Sequence, residues 1–70
     1  MEQPNPFYDN GNPRFKGEYL SGEMHGYWEF FRKDGTLMRS GTFDNGIQVG
    51  VWTTYDQQGH PYKETEFKNK

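Results

Sequence analysis

The stretch GEYLSGEMHGYWEFFRKDG at residues 17–35 is matched, 24 residues further on, by GTFDNGIQVGVWTTYDQQG at residues 41–59. Every glycine of the chain obeys this 24-residue step: Gly11, Gly35 and Gly59; Gly17 and Gly41; Gly22 and Gly46; Gly26 and Gly50. Aromatic residues follow it too, in the series Trp28 and Trp52; Phe31 and Tyr55; Tyr19, Phe43 and Phe67. The chain therefore contains an internal repeat, with full units at 17–40 and 41–64 and partial units at 7–16 and 65–70.

The segments between the glycines have the length of β-strands and are too short for stable helices. The chain has no alanine, and 19% of its residues are aromatic, a composition typical of strands and tight turns. We predict an all-β fold: one twisted antiparallel meander of about six short strands, built from two 24-residue β-hairpin repeats. The strands are expected near Pro6–Asp9, Arg14–Leu20, Tyr27–Arg32, Thr36–Phe43, Val51–Asp56 and Pro61–Lys68.

Two kinds of turn are expected between these strands. Gly11, Gly35 and Gly59 end polar triplets and are predicted to adopt a positive φ. The pairs Ser21-Gly22 and Asn45-Gly46 are predicted to open longer connections.

Period-two alternation predicts which side chains share a face of the sheet. It places Phe15, Gly17 and Tyr19 together, and likewise Leu37, Arg39, Gly41 and Phe43. A glycine beside an aromatic residue is expected to leave room for a large ring, such as Trp28 or Trp52, to lie across the sheet. Unless a bulge intervenes, Trp28 and Phe30 share one face, while Tyr27 and Phe31 share the other. Rings are thus predicted on both faces.

Length and composition exclude several classes of function. Seventy residues hold one domain, spanning 1–70, and the absence of cysteine rules out disulfides and thiolate metal sites. A net charge of −2 with scattered Lys and Arg disfavours nucleic acid. No window is apolar enough for a membrane span, so a cytoplasmic, unexported protein is expected. His25 and His60 lack metal-ligand spacing, and neither the carboxylates nor the glycines form a catalytic or phosphate-binding motif. We expect no enzyme activity, no cofactor and no metal.

The pattern of Gly, aromatic, Gly, Gly, Trp, aromatic and Gly over residues 7–67 resembles the MORN repeat, most closely its bacterial variant with Gly-x-Trp before the strand. Thr65 departs from the pattern, because it stands where a third unit would begin with glycine. The resemblance implies an extended twisted antiparallel sheet of successive β-hairpins. It also implies a scaffold or protein-binding module, with phospholipid binding in some members and an antitoxin grouping for small bacterial ones.

Comparison of the two units separates structural positions from candidate binding positions. Matching positions are assigned to the fold: Gly17, Tyr19, Gly22, Gly26, Trp28, Phe31, Gly35, Gly41, Phe43, Gly46, Gly50, Trp52, Tyr55, Gly59 and Phe67. Tyr27, Phe30, Met38 and Tyr62 differ from their counterparts, so the repeat does not require them. These four are the candidate binding residues, with the alternative that they only fill a thin core.

The function expected from these observations is a non-enzymatic protein-interaction module, antitoxin-like if the resemblance extends that far. A single layer cannot bury both of its faces, so another protein or a second copy of the chain is expected to cover one. Strand-to-strand pairing at the ends is disfavoured by Pro4, Pro6 and Pro61 and by the charges of the last strand. The alternative is a peripheral phospholipid-binding module, which the scattered basic residues disfavour.

Overall fold

The chain folds into one five-stranded antiparallel sheet in which each strand pairs with its neighbours in sequence, in the order β1-β2-β3-β4-β5. The structure is a computed structural model, and it describes residues 5–68. The strands are β1 (Phe15–Leu20), β2 (Glu23–Phe31), β3 (Leu37–Asp44), β4 (Ile47–Tyr55) and β5 (Pro61–Phe67). The all-β meander is therefore confirmed, with five strands in place of about six. No helix within residues 5–68 is long and apolar enough to span a membrane.

Two of the connections are tighter than the sequence predicted. Ser21-Gly22 has φ values of 52° and 83°, and Asn45-Gly46 has 50° and 86°. Positive φ at both central residues is what a two-residue type I′ hairpin turn requires, and this turn suits the right-handed twist of the flanking strands. The prediction of longer connections at these two positions was wrong, because β2 and β4 each begin immediately after the turn, at Glu23 and Ile47.

The other connections are five-residue loops that recur every 24 residues, at 8–12, 32–36 and 56–60. In each, the glycine amide donates to the carbonyl of the first loop residue: Gly11 to Tyr8, Gly35 to Arg32 and Gly59 to Asp56. The positive φ predicted for these three glycines is confirmed. The strand predicted at Pro6–Asp9 is reduced to a single bridge between Phe7 and Pro13 that closes the first loop. Pro4 and residues 69–70 of the last partial unit lie outside the described residues.

Successive loops are joined by hydrogen bonds at one end of the strands. The Tyr8 hydroxyl donates to the Phe31 carbonyl at 2.8 Å. The Arg32 guanidinium donates to the Tyr55 carbonyl, one repeat further on. These two bonds join equivalent positions of consecutive units through different side chains, so the repeat preserves the contact and not the residue type.

Two aspartates in these loops have lowered pKa values, from which we expect the protein to lose stability in acid. Hydrogen bonds donated by the Thr36 hydroxyl and amide lower the pKa of Asp34, and the His60 amide, followed by that of Gln58, lowers the pKa of Asp56. Because both carboxyls have a folded-state pKa below the unfolded value, their stabilising effect is present above about pH 4 and is lost as the pH falls further. Urea unfolding at pH 6 and pH 3 should show a smaller acid-induced loss for Asp34→Asn/Asp56→Asn than for the parent chain. An equal loss in both proteins would contradict this prediction.

The molecule is one layer thick, with principal extents of 35 × 33 × 11 Å. Its core lies on one face of the sheet, where Trp28, Phe43 and Trp52 are the buried apolar residues among those described. Phe15, Met24, Phe30 and Phe67 are half-buried and pack around these three. Neighbouring rings meet mostly edge to face, as between Phe43 and Trp52 at 5.0 Å between centroids.

Each tryptophan ring lies across a glycine in the strand that precedes its own: Trp28 of β2 across Gly17 of β1, and Trp52 of β4 across Gly41 of β3. A Cβ atom added at Gly17 would lie 2.1 Å from Cδ2 of Trp28, and one at Gly41 would lie 2.1 Å from Cδ2 of Trp52. The indole N–H of Trp28 donates to the carbonyls of Glu18 and His25, and that of Trp52 donates to the carbonyl of Thr42. The expectation that bare glycines make room for these rings is confirmed.

Candidate functional site

The strand register defines two faces of different chemistry, since directly paired residues in a sheet share a face. One row across the sheet is Phe15, Phe30, Arg39, Thr54 and Lys63. We call the side that carries this row and the buried tryptophans the aromatic face. The adjacent row is Lys16, Glu29, Ser40, Thr53 and Glu64. We call the side that carries it the polar face.

The aromatic face is largely occupied by its own rings. Phe30 lies between Trp28 and Trp52, with centroid distances of 6.0 and 5.9 Å. The Arg39 guanidinium covers the Phe30 ring at 5.1 Å and the Trp52 ring at 5.9 Å. Phe30, a candidate binding residue, is therefore half-buried inside the ring cluster, where Arg39 shields it.

The polar face is open among the described residues and carries three well-exposed apolar side chains of the strands. Tyr27 is 59% exposed, Val51 54% and Ile47 66%. Tyr27 borders a shallow hollow together with Lys16, Gly17, Glu18 and Glu29. Its hydroxyl lies 3.5 Å from Oε2 of Glu29, a weak contact that leaves the ring accessible.

The polar face also has a partly buried region that stabilises the sheet. The Lys16 ammonium lies over the Phe31 ring at 5.6 Å. The hydroxyls of Ser40 and Tyr55 lie 3.1 Å apart, and Ser40 is buried. Phe31 and Tyr55, which are equivalent in the repeat, therefore pack locally on this side, as the period-two reading predicted for Phe31.

Met38 and Tyr62 occupy equivalent irregularities in the ladder. The register skips Met38 between the pairs Phe30–Arg39 and Phe31–Leu37. It skips Tyr62 in the same way between Thr54–Lys63 and Tyr55–Pro61. Such residues have no partner on the opposing strand. Leu37 is consequently paired with Phe31 and lies on the opposite face from Arg39. The prediction from period-two alternation that Leu37 and Arg39 share a face was therefore wrong, because it did not allow for the bulge at Met38.

The four candidate binding residues are not brought together. Tyr27 lies on the open polar face, Phe30 lies inside the aromatic cluster, and Met38 and Tyr62 lie at two separate bulges. Val51 and Ile47 were missed as surface residues. The signal for Val51 was available, because it is the repeat counterpart of Tyr27 and both follow a glycine before a tryptophan.

Both histidines have local structural partners. His25 Nδ1 accepts a hydrogen bond from the Asn45 amide at 3.2 Å, and His60 Nδ1 lies 3.6 Å from Asp56. Residues 5–68 contain no group of three or more His, Asp or Glu side chains arranged to hold a metal ion. The geometry that remains as a candidate site is a surface, centred on Tyr27.

Comparison with known proteins identifies the repeat. The profile of the MORN repeat variant family matches residues 24–45 and 48–69, which together make up more than half of the chain. The two matches begin 24 residues apart, the period of the glycines. No curated protein matches the chain, and no solved structure matches it.

Proposed function

This chain belongs to the MORN repeat variant family, whose repeats are commonly protein- or lipid-interaction modules, and we propose that it is a non-enzymatic protein-binding module. The observation that carries the proposal is the polar face, which nothing within residues 5–68 covers and which carries the exposed Tyr27. Tyrosine is enriched at protein interfaces because its ring is large and apolar while its hydroxyl tolerates water.

The dimensions of the sheet suit such a role. The molecule measures 35 × 33 Å across its two broad sides, so one side is large enough for the area of about 800 Å² that each partner buries in a standard interface. The polar face also lies on a rigid support, because the tryptophans on the other side hold the strands together. Binding to it therefore requires little ordering of the backbone, which limits the entropic penalty of association.

The partner is proposed to be a different protein. A toxin is the class of partner that the resemblance to small bacterial members suggests, and the cytoplasm is the location that the sequence suggests. Phospholipid binding ranks second, because the polar face carries Glu18, Glu29, Glu64 and Glu66 and anionic lipid attracts clustered Lys and Arg.

Affinity purification of the tagged full chain from its native cell tests the proposal. We expect a stoichiometric protein partner that is lost when the exposed side chains are changed in Tyr27→Ser/Val51→Ser. Phe7→Ser is the matched control, because Phe7 is 52% exposed but lies outside the five-stranded sheet. Recovery of no partner, together with salt-sensitive sedimentation of the chain on anionic vesicles, would overturn the proposal in favour of lipid.

A further inference from the structure

The small net charge of the chain conceals a strong difference between the faces of its sheet. Paired residues share a face, and successive residues of a strand alternate between faces. On this basis the carboxylates of the strands all lie on the polar face: Glu18, Glu23, Glu29, Asp44, Glu64 and Glu66. The same alternation places Arg39 and Lys63 on the aromatic face and leaves Lys16 as the one strand cation on the polar face. Opposite charges are thus sorted onto opposite faces.

Four carboxylates of the polar face are not neutralised within the described chain. Among residues 5–68 the ion pairs are Lys33–Asp9, His25–Asp44 and His60–Asp56, and none includes Glu18, Glu29, Glu64 or Glu66. Lys16 is paired with Glu29 in the register, yet its ammonium lies over the Phe31 ring. The polar face therefore presents several carboxylates beside the exposed Tyr27 and Val51.

We infer that the polar face binds a cationic surface of a partner protein, rich in Lys or Arg and with apolar groups that cover Tyr27 and Val51. This inference rests on the proposed function and names the chemistry of its partner. A second copy of the chain does not pair with this face through its own polar face, because two polar faces brought together would oppose like charges.

The surroundings of Tyr27 suit an arginine in particular. Its ring is exposed, and Glu18 and Glu29 border the same hollow. A guanidinium stacks on an aromatic ring and at the same time donates two parallel hydrogen bonds to a carboxylate. A lysine ammonium satisfies only part of this arrangement.

Titration of the ¹⁵N-labelled full chain with a ten-lysine peptide and with a ten-arginine peptide tests the inference. We expect amide shifts concentrated at Tyr27, Glu29, Val51, Glu64 and Glu66, with tighter binding of the arginine peptide. Binding should weaken when salt is raised to about 0.15 M, where the Debye length is about 8 Å.

Two variants of equal net charge separate the polar face from charge in general. Glu29→Gln/Glu64→Gln removes two carboxylates from the face, whereas Asp9→Asn/Asp34→Asn removes two from the loops. We expect roughly fivefold weaker peptide binding for the first variant and little change for the second. Asparagine keeps an acceptor oxygen for the loop hydrogen bonds of Asp34, so the control is expected to fold.

Three results would overturn the inference: no peptide binding at low salt, shifts confined to the loops or the aromatic face, or equal weakening in both variants. A native partner that binds equally well to Glu29→Gln/Glu64→Gln would overturn it as well, while leaving the protein-binding function standing. Conversely, mapped peptide binding without a native partner would count against the proposed function alone.

Discussion

Gly41→Ala is expected to unfold the protein or to lower its free energy of unfolding by about 3 kcal/mol or more, at the upper end of overpacking effects. The added Cβ would lie 2.1 Å from Cδ2 and 2.3 Å from Cε2 of Trp52. These atoms form the rigid centre of the indole, so the ring must leave its site and lose the hydrogen bond to the Thr42 carbonyl. Urea unfolding followed by tryptophan fluorescence measures the loss.

A matched glycine distinguishes steric overlap from backbone strain. Gly50 has a φ of 72° and nothing within 4 Å of an added Cβ. Gly50→Ala should therefore lower stability by only about 1–2 kcal/mol, the penalty of a left-handed conformation. If Gly41→Ala were no worse than Gly50→Ala, close packing of Trp52 on Gly41 would not be the reason for the glycine.

A double-mutant comparison isolates the contact itself. Trp52→Leu removes the indole that the new methyl group would meet, so Gly41→Ala should have much less effect in that background than in the parent chain. Residues in direct contact show such non-additivity, whereas independent sites add. Simple additivity of the two changes would contradict the assigned contact.

Trp28→Ala is expected to reduce stability by about 3–5 kcal/mol, the range for truncation of a buried large aromatic residue. Trp28 is 0% exposed and contacts the rings of Phe15, Tyr19, Phe30 and Phe43. A domain with a stability of about 0.05–0.15 kcal/mol per residue retains little after such a loss. Thermal and urea unfolding, with Trp52 as the fluorescent probe, provide the measurement.

Tyr62→Ala serves as the control for this truncation. Tyr62 is also aromatic, but it is 64% exposed at the bulge in β5, and its removal should change stability by no more than about 0.5 kcal/mol. An unchanged melting temperature for Trp28→Ala would mean that the ring cluster is not the core.

The two-residue turns are a feature that the sequence did not predict correctly. Ser21 and Asn45 adopt a positive φ, so β2 and β4 begin four residues earlier than predicted. A glycine preceded by a small polar residue is compatible with a long connection or with a type I′ turn. Pairing of the flanking strands decides between them, and that pairing involves residues on both sides of the turn.

The candidate surface was only partly predictable for a related reason. Tyr27 was identified because it differs from Val51 in the repeat, and it lies exposed on the polar face. Phe30 was identified by the same criterion, yet it is packed between two tryptophans. Variation between repeat units shows that a side chain is not required by the fold, but it does not reveal how much of that side chain its neighbours cover.

The sequence by itself determined the repeat, the all-β class and the glycine sites beneath the tryptophans. It could do so because each unit of a meander contacts only the adjacent units, so that the spacing of residues along the chain is also their spacing across the sheet. The tertiary structure decided the strand ends, the bulges at Met38 and Tyr62 and the sorting of charge between the faces. These depend on register, since one bulged residue moves the following side chains to the opposite face.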